Sequence, residues 1–125
     1  MCSAKRTSQD TPPINDGGTS LPTRIFRALV HQRRRYALYY LRDHEQAQTD
    51  DLAIQLAAWE QGIPKHETPA EEVKRIKTNL VNTQFPKLED YGFIEYDSRS
   101  EAVSYSYPPE ILDEALELAA IIETP

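Results

Sequence analysis

The chain passes through stretches with and without apolar rhythm, and the rhythm changes period along the way. Residues 1–21 carry no rhythm. Thr11-Pro12-Pro13 and Asn15-Asp16-Gly17-Gly18 punctuate a polar run that reads as a disordered leader. From Pro22 and Thr23 a short helix is predicted, with Ile25, Phe26 and Leu29 at helical spacing, and His31-Gln32 breaks or bends it. A second helix follows from Gln32 to His44. There Ala37, Leu38 and Leu41 share one face, while Arg35, Tyr39 and Arg42 line up on another. Ala47-Gln48 forms a short extended link, and Thr49 is a suitable N-cap for a third helix. Asp50 and Asp51 fall in its first turn, where the helix dipole favours acids. Leu52, Leu56 and Trp59 make its apolar stripe, and Gly62-Ile63-Pro64 ends it.

Thr68-Pro69-Ala70-Glu71 has the form of a capping box with proline at the first helical position. The helix it opens runs to Gln84 with Val73, Ile76, Leu80 and Gln84 facing inward, and Phe85-Pro86-Lys87-Leu88 prolongs or kinks it. After Tyr91-Gly92 the period falls to two. Phe93–Tyr96 reads as a strand, Asp97–Glu101 as a polar loop, and Ala102–Tyr107 as the return strand, where Val103, Tyr105 and Tyr107 alternate with small residues. Pro108-Pro109 ends that strand and opens a last helix. Leu112, Ala115, Ala119 and Ile122 recur along it opposite Glu110, Asp113, Glu114 and Glu117. The order is helix, helix, short strand, helix, helix, hairpin, helix. It predicts a mainly α fold with a small β-hairpin: a winged helix-turn-helix over 22–107 with an added C-terminal helix over 108–125.

Charge sharpens this picture. The chain of 125 residues has a formal net charge of −6, unevenly spread. Residues 24–44 hold six Arg against Asp43 alone, whereas residues 45–125 hold six bases against seventeen acids. An acidic chain is a poor general nucleic-acid binder, because that affinity comes largely from phosphate neutralisation. A concentrated basic segment still acts locally, since screening confines surface charge effects to about 10 Å. One cysteine, Cys2, forms no internal disulfide, and a reducing cytosol is the expected compartment. The apolar run Ala115–Ile122 is broken by Glu117 and too short for a bilayer, and no apolar export signal is expected at the start.

Four blocks of sequence resemble a known family. Arg33-Arg34-Arg35-Tyr36-Ala37-Leu38-Tyr39-Tyr40-Leu41 is followed by Leu52-Ala53-Ile54-Gln55-Leu56-Ala57-Ala58-Trp59-Glu60. Val73-Lys74-Arg75-Ile76 then leads through Pro86-Lys87-Leu88 to Gly92-Phe93-Ile94-Glu95-Tyr96-Asp97. Together they resemble a winged-helix domain widespread in halophilic archaea, of unassigned biochemical role, found in proteins classed as transcriptional regulators. The resemblance covers roughly residues 23–106. It implies a winged-helix fold and DNA binding, and it supplies no ligand or operator.

The candidate chemistry lies on the outward side of the 69–84 helix. Arg75, Thr78, Asn79 and Asn82 are residue types that read base edges in the major groove, and Lys74 beside them suits phosphate. The competing reading is a solvated face, because Glu71 and Glu72 offset two of that helix's three bases. Arg33, Arg34 and Arg35 spread over about 200° of a helix and cannot form one patch. Arg34 falls on the core side, where it would make an internal salt bridge or cover the core with its stem. Arg35 and Arg42 are candidates for phosphate, as are Lys87 and, at the wing tip, Arg99.

His31, His44 and His66 come with no HExxH, CxxC or Gly-rich phosphate loop, so no catalytic residue, metal or cofactor is expected. The expected protein is a cytoplasmic regulator binding double-stranded DNA through the 69–84 helix. It would pair as a homodimer through Leu112, Ala115, Ala119 and Ile122, with no membrane partner and no effector that the residues identify. The alternative is a winged-helix protein-interaction module without DNA binding, using Tyr36, Tyr39, Tyr40 and the terminal helix.

Overall fold

A computed structural model of the chain describes residues 19–106, 109–123 and 125. The expected leader lies outside the described residues as far as residue 18, as do Tyr107 and Pro108. Helix α1 (Leu21–Val30) opens one residue ahead of Pro22, because the Ser20 hydroxyl accepts the Thr23 N–H at 3.4 Å. His31 is extended and separates α1 from α2 (Gln32–His44). A short strand, β1 (Gln46–Gln48), leads into α3 (Thr49–Gln61). Gly62 closes α3 in the left-handed region at φ 67°, with its N–H on the Ala58 carbonyl.

Two expected caps are not formed. Thr49 donates its hydroxyl to the Glu101 carbonyl at 2.7 Å, so it anchors the hairpin loop instead of capping α3. Thr68 donates to the Lys65 carbonyl at 2.9 Å across a single 3₁₀ turn (Lys65–Glu67). Pro69, which has no side-chain acceptor, takes the N-cap place before α4 (Ala70–Asn79).

The long helix continues from α4 through a π turn at Leu80–Gln84 into α5 (Phe85–Asp90). Proline accounts for the widening. Pro86 has no N–H for the Asn82 carbonyl, and its ring would strike that carbonyl in a regular α-helix. The chain instead adds a residue to the turn, and the Phe85 N–H bonds five residues back to Leu80. As a result Gln84 and Phe85, adjacent in sequence, are both buried.

The hairpin, β2 (Ile94–Asp97) and β3 (Ala102–Tyr105), is part of a three-stranded antiparallel sheet ordered β1-β3-β2. Val103 sits opposite Ala47 on one side and Tyr96 on the other. Ala47, Ile94 and Val103 are buried and join the helices' core. The arrangement is mainly helical with a small sheet, winged-helix-like, plus a C-terminal helix α6 (Glu110–Ile122).

That last helix is not a separate unit. Leu112 and Leu116 are fully buried beside Leu38, Leu41, Leu52, Leu56, Ile76, Leu80, Phe85, Leu88 and Phe93. Each buried leucine of this kind stabilises by about 2 kcal/mol. Leu112 therefore packs inside its own domain and is unavailable to a second subunit, contrary to its expected place in a dimer interface.

Candidate nucleic-acid interface

The outward stripe of α4 and the turn after it carries Glu71, Lys74, Arg75, Thr78, Asn82 and Thr83, all exposed. These side chains line one open depression on a single continuous helix. All four expected base-reading residues, Arg75, Thr78, Asn79 and Asn82, line it, Asn79 as the half-buried one. Arg75 is well exposed and rests on Glu72, one turn back, at 2.6 Å. Thr83 joins Asn82 on this surface because the π turn rotates both outward; the proline three residues further on is the sequence signal for that turn.

Asn79 sits deeper than the other three. It is half-buried, and its Oδ1 accepts from Arg33 Nη1 at 3.1 Å and from Gln84 Nε2 at 3.0 Å. Gln84 Oε1 in turn accepts from Arg34 Nε at 2.8 Å, and Arg34 Nη1 donates to the Arg27 carbonyl at 2.6 Å. At the other end Arg33 makes a two-pronged pair with Glu60, at 2.8 and 2.7 Å, which raises its pKa further. The relay ties α1, α2 and α3 to α4 and the turn after it. The oxygen of Asn79 that would accept from a base is spent in it.

Arg34, expected on the core side, is buried, and it is held by a carboxamide and a carbonyl rather than by a carboxylate.

The wing is held to the same helix. Asp97 folds the loop by accepting the Arg99 N–H at 3.0 Å and the Ser100 hydroxyl at 3.1 Å. Lys77 places its ammonium 2.9 Å from Asp50 and 3.2 Å from Glu101, which joins α4 to the start of α3 and to the wing base. The hydrogen bonds to these two carboxylates raise the lysine's pKa, Asp50 contributing most. Sequence reasoning missed Lys77, because nothing in its neighbourhood announces partners 27 and 24 residues away.

The five expected phosphate contacts differ in how they are held. Lys74 lies on the α4 stripe, Lys87 is exposed on α5, and Arg99 is exposed at the wing tip. Arg35 is committed elsewhere. Its Nε and Nη2 grip the Glu123 carboxylate at 2.7 Å each, and its Nη1 donates to the Leu29 carbonyl at 2.6 Å. Tyr39 donates to the same carboxylate at 3.0 Å. The Arg35 hydrogen bonds hold Glu123 below the usual carboxylate range, while burial and Glu123 push the Tyr39 phenol up to about 12. Arg42 is half-buried, 3.7 Å from Asp43, at the end of the hairpin where Tyr105 pairs with Ile94. The two-pronged pair with Glu123 and the bond to Leu29 occupy the donors of Arg35, whereas Arg42 has only the looser approach to an exposed Asp43.

The aromatic surface expected of the alternative reading is not open. Tyr36 and Tyr39 are buried, with Tyr36 edge-on to Trp59 at 5.7 Å, and Tyr40 stacks on His44 at 4.0 Å. Of the residues expected at a dimer seam, Ala115 and Ala119 are half-buried, and Ile122 is 81% exposed. Among the described residues no group of three or more His, Cys, Asp or Glu could hold a metal ion, and no helix is long and apolar enough to cross a membrane.

Residues 26–104 match the model of a family described as a domain of unknown function (DUF7344), and the chain belongs to that family. No curated protein and no solved structure matches it.

Proposed function

We propose that this DUF7344 member is a DNA-binding regulator that lays α4 and its π turn into the major groove of a duplex. The observation that carries the reading is the outward stripe of Arg75, Thr78 and Asn82, all exposed on a helix whose opposite side is core. Those side chains can donate to and accept from base edges. The wing, tied to the same helix through Lys77 and Glu101, offers Arg99 to the backbone beside the groove. The resemblance of its sequence blocks to a winged-helix domain of halophilic archaea supports the same role, in a cytoplasm of high salt. There counterion release contributes little, so affinity rests on shape and base contacts, which fits a stripe with few free cations.

Selection of bound fragments from sheared genomic DNA, followed by titration of a labelled winner at 0.2 and 2 M KCl, tests the proposal. Saturable binding that Asn82→Ala weakens is the expected result. Absence of saturable binding to every fragment at both salts overturns it.

A further inference from the structure

We infer that the surface formed by α1 and α6 seats a second copy of this chain, with α1 of each copy against α6 of the other. The inference stands apart from DNA binding. Six large apolar side chains are more than half exposed on these two helices: Phe26 and Val30 on α1, and Ile111, Leu118, Ile121 and Ile122 on α6. At about 100 Å² or more each they approach the ~800 Å² per partner of a standard stable interface. Summed, this is more apolar area than the roughly 300–600 Å² of the largest patch on a typical monomer.

The shape is that of a seam. Ile111, Ala115, Leu118 and Ile122 follow one another at 4-3-4 spacing, the spacing by which one helix packs along another. The inward residues Leu112 and Leu116 lie on a different face. Between α1 and α6 a depression lined by Leu29, Ala119 and Ile122 is floored by the Arg35–Glu123 pair. The protruding Phe26 stands one turn from Leu29 on the same helix. A two-fold axis would let each copy's projection enter the other's depression.

Charge selects the crossed pairing. Helix α1 exposes Arg27 and holds no acid, its other cation, Arg24, being turned onto the Tyr91 carbonyl at 2.8 Å, whereas α6 exposes Glu110, Glu114 and Glu117 and holds no base. Setting α6 against α6 would oppose like charges, and setting α1 against α6 of the partner opposes unlike ones. The chain's own first eighteen residues are an unsuitable cover, since Met1, Cys2, Ala4 and Ile14 are the hydrophobic residues among them.

Sedimentation equilibrium of the full chain without DNA, at the lowest KCl that keeps its native circular dichroism, tests this pairing. The wild type should be dimeric at tens of micromolar. Ile122→Glu and Phe26→Asp should each raise the dissociation constant at least tenfold while leaving the thermal transition of the monomer in place, since both side chains are exposed. Arg27→Glu should weaken the dimer several-fold, and adding Glu114→Arg to that variant should restore it. A wild type monomeric up to 200 µM overturns the inference, even if some other protein is found on the surface. A dimer sensitive to Ile122→Glu but indifferent to Phe26→Asp and Arg27→Glu also overturns it, in favour of α6 against α6.

Discussion

Helices α2 and α4 divide the chain's cations between two uses. Helix α2 carries Arg33, Arg34, Arg35 and Arg42, the densest basic stretch of the molecule. Three of these hold other elements in place: Arg33 on Glu60, Arg34 on Gln84 and the Arg27 carbonyl, Arg35 on Glu123 and the Leu29 carbonyl. Helix α4 has only Lys74, Arg75 and Lys77, yet its outward stripe is the polar surface left open. A basic run in sequence therefore reports charge density, not charge availability. A guanidinium with several N–H donors and a long stem is as useful for joining helices as for meeting phosphate.

The comparison breaks first at Arg34. If α2 is structural, Arg34→Ala should be the most damaging of the charge changes, at about 3 kcal/mol. It empties a buried site and leaves the Gln84 carboxamide and the Arg27 carbonyl without their donor. Urea unfolding followed by circular dichroism measures it. A loss below 1 kcal/mol would mean that the relay through Gln84 and Asn79 does not hold α4 in place.

A smaller effect is expected where α2 meets the end of α6, and it depends on pH. The folded pKa of Glu123 lies below its ordinary 4.5, chiefly through the Arg35 hydrogen bonds. Its contribution is therefore present above pH 4.5 and disappears as pH falls through the lowered folded value. Glu123→Gln should cost about 1–2 kcal/mol at neutral pH, a figure already reduced for solvent screening of a partly exposed pair. In a stability profile from pH 7 to 3, the wild type should lose this increment on the acid side and the variant should not. Parallel profiles would sink the assignment of the clamp to Glu123.

Much of the fold was legible, because it rests on local periodicity. Ile76, Leu80 and Gln84 recur at helical spacing and are buried; Gly62 stops α3; Val103 and Tyr105 follow period two into the sheet. The pairing of β1 was not legible, since three residues are too few for a strand signal. Long-range partners were not legible either. Arg35 and Glu123 are 88 residues apart, and Lys77 is 27 from Asp50. The last helix misled for a different reason. It is apolar on two faces, and the set of Leu112, Ala115, Ala119 and Ile122 runs between them, mixing a core residue with an exposed one. In the candidate site Arg75, Thr78 and Asn82 were found by their angle to Ile76 and Leu80. Asn79 lines the same depression, but its Oδ1 is taken up by Arg33, 46 residues away in sequence, a partner that helical periodicity does not announce.

The α4 side of the comparison is sharpened by variants that leave stability alone. Thr78→Ala and Asn82→Ala remove exposed side chains with no intramolecular hydrogen bond described for them, so unfolding should move by no more than about 0.5 kcal/mol. Duplex binding should nonetheless weaken by about 1–3 kcal/mol for a residue that reads a base in a two-point contact, and selectivity should relax at one position of the bound sequence. Lys87→Ala and Arg99→Ala mark the lower end. Removing a phosphate-neutralising cation at either position should weaken all duplexes alike and reduce the slope of log affinity against log salt by about 1. Since the slope comes from counterions and the selectivity from base edges, the two pairs of variants separate the roles without reference to absolute affinity. If Lys87→Ala altered sequence preference while Asn82→Ala altered only the salt slope, the helix would be lying in the groove on its α5 end, and the assignment of α4 as the reading segment would have to be given up.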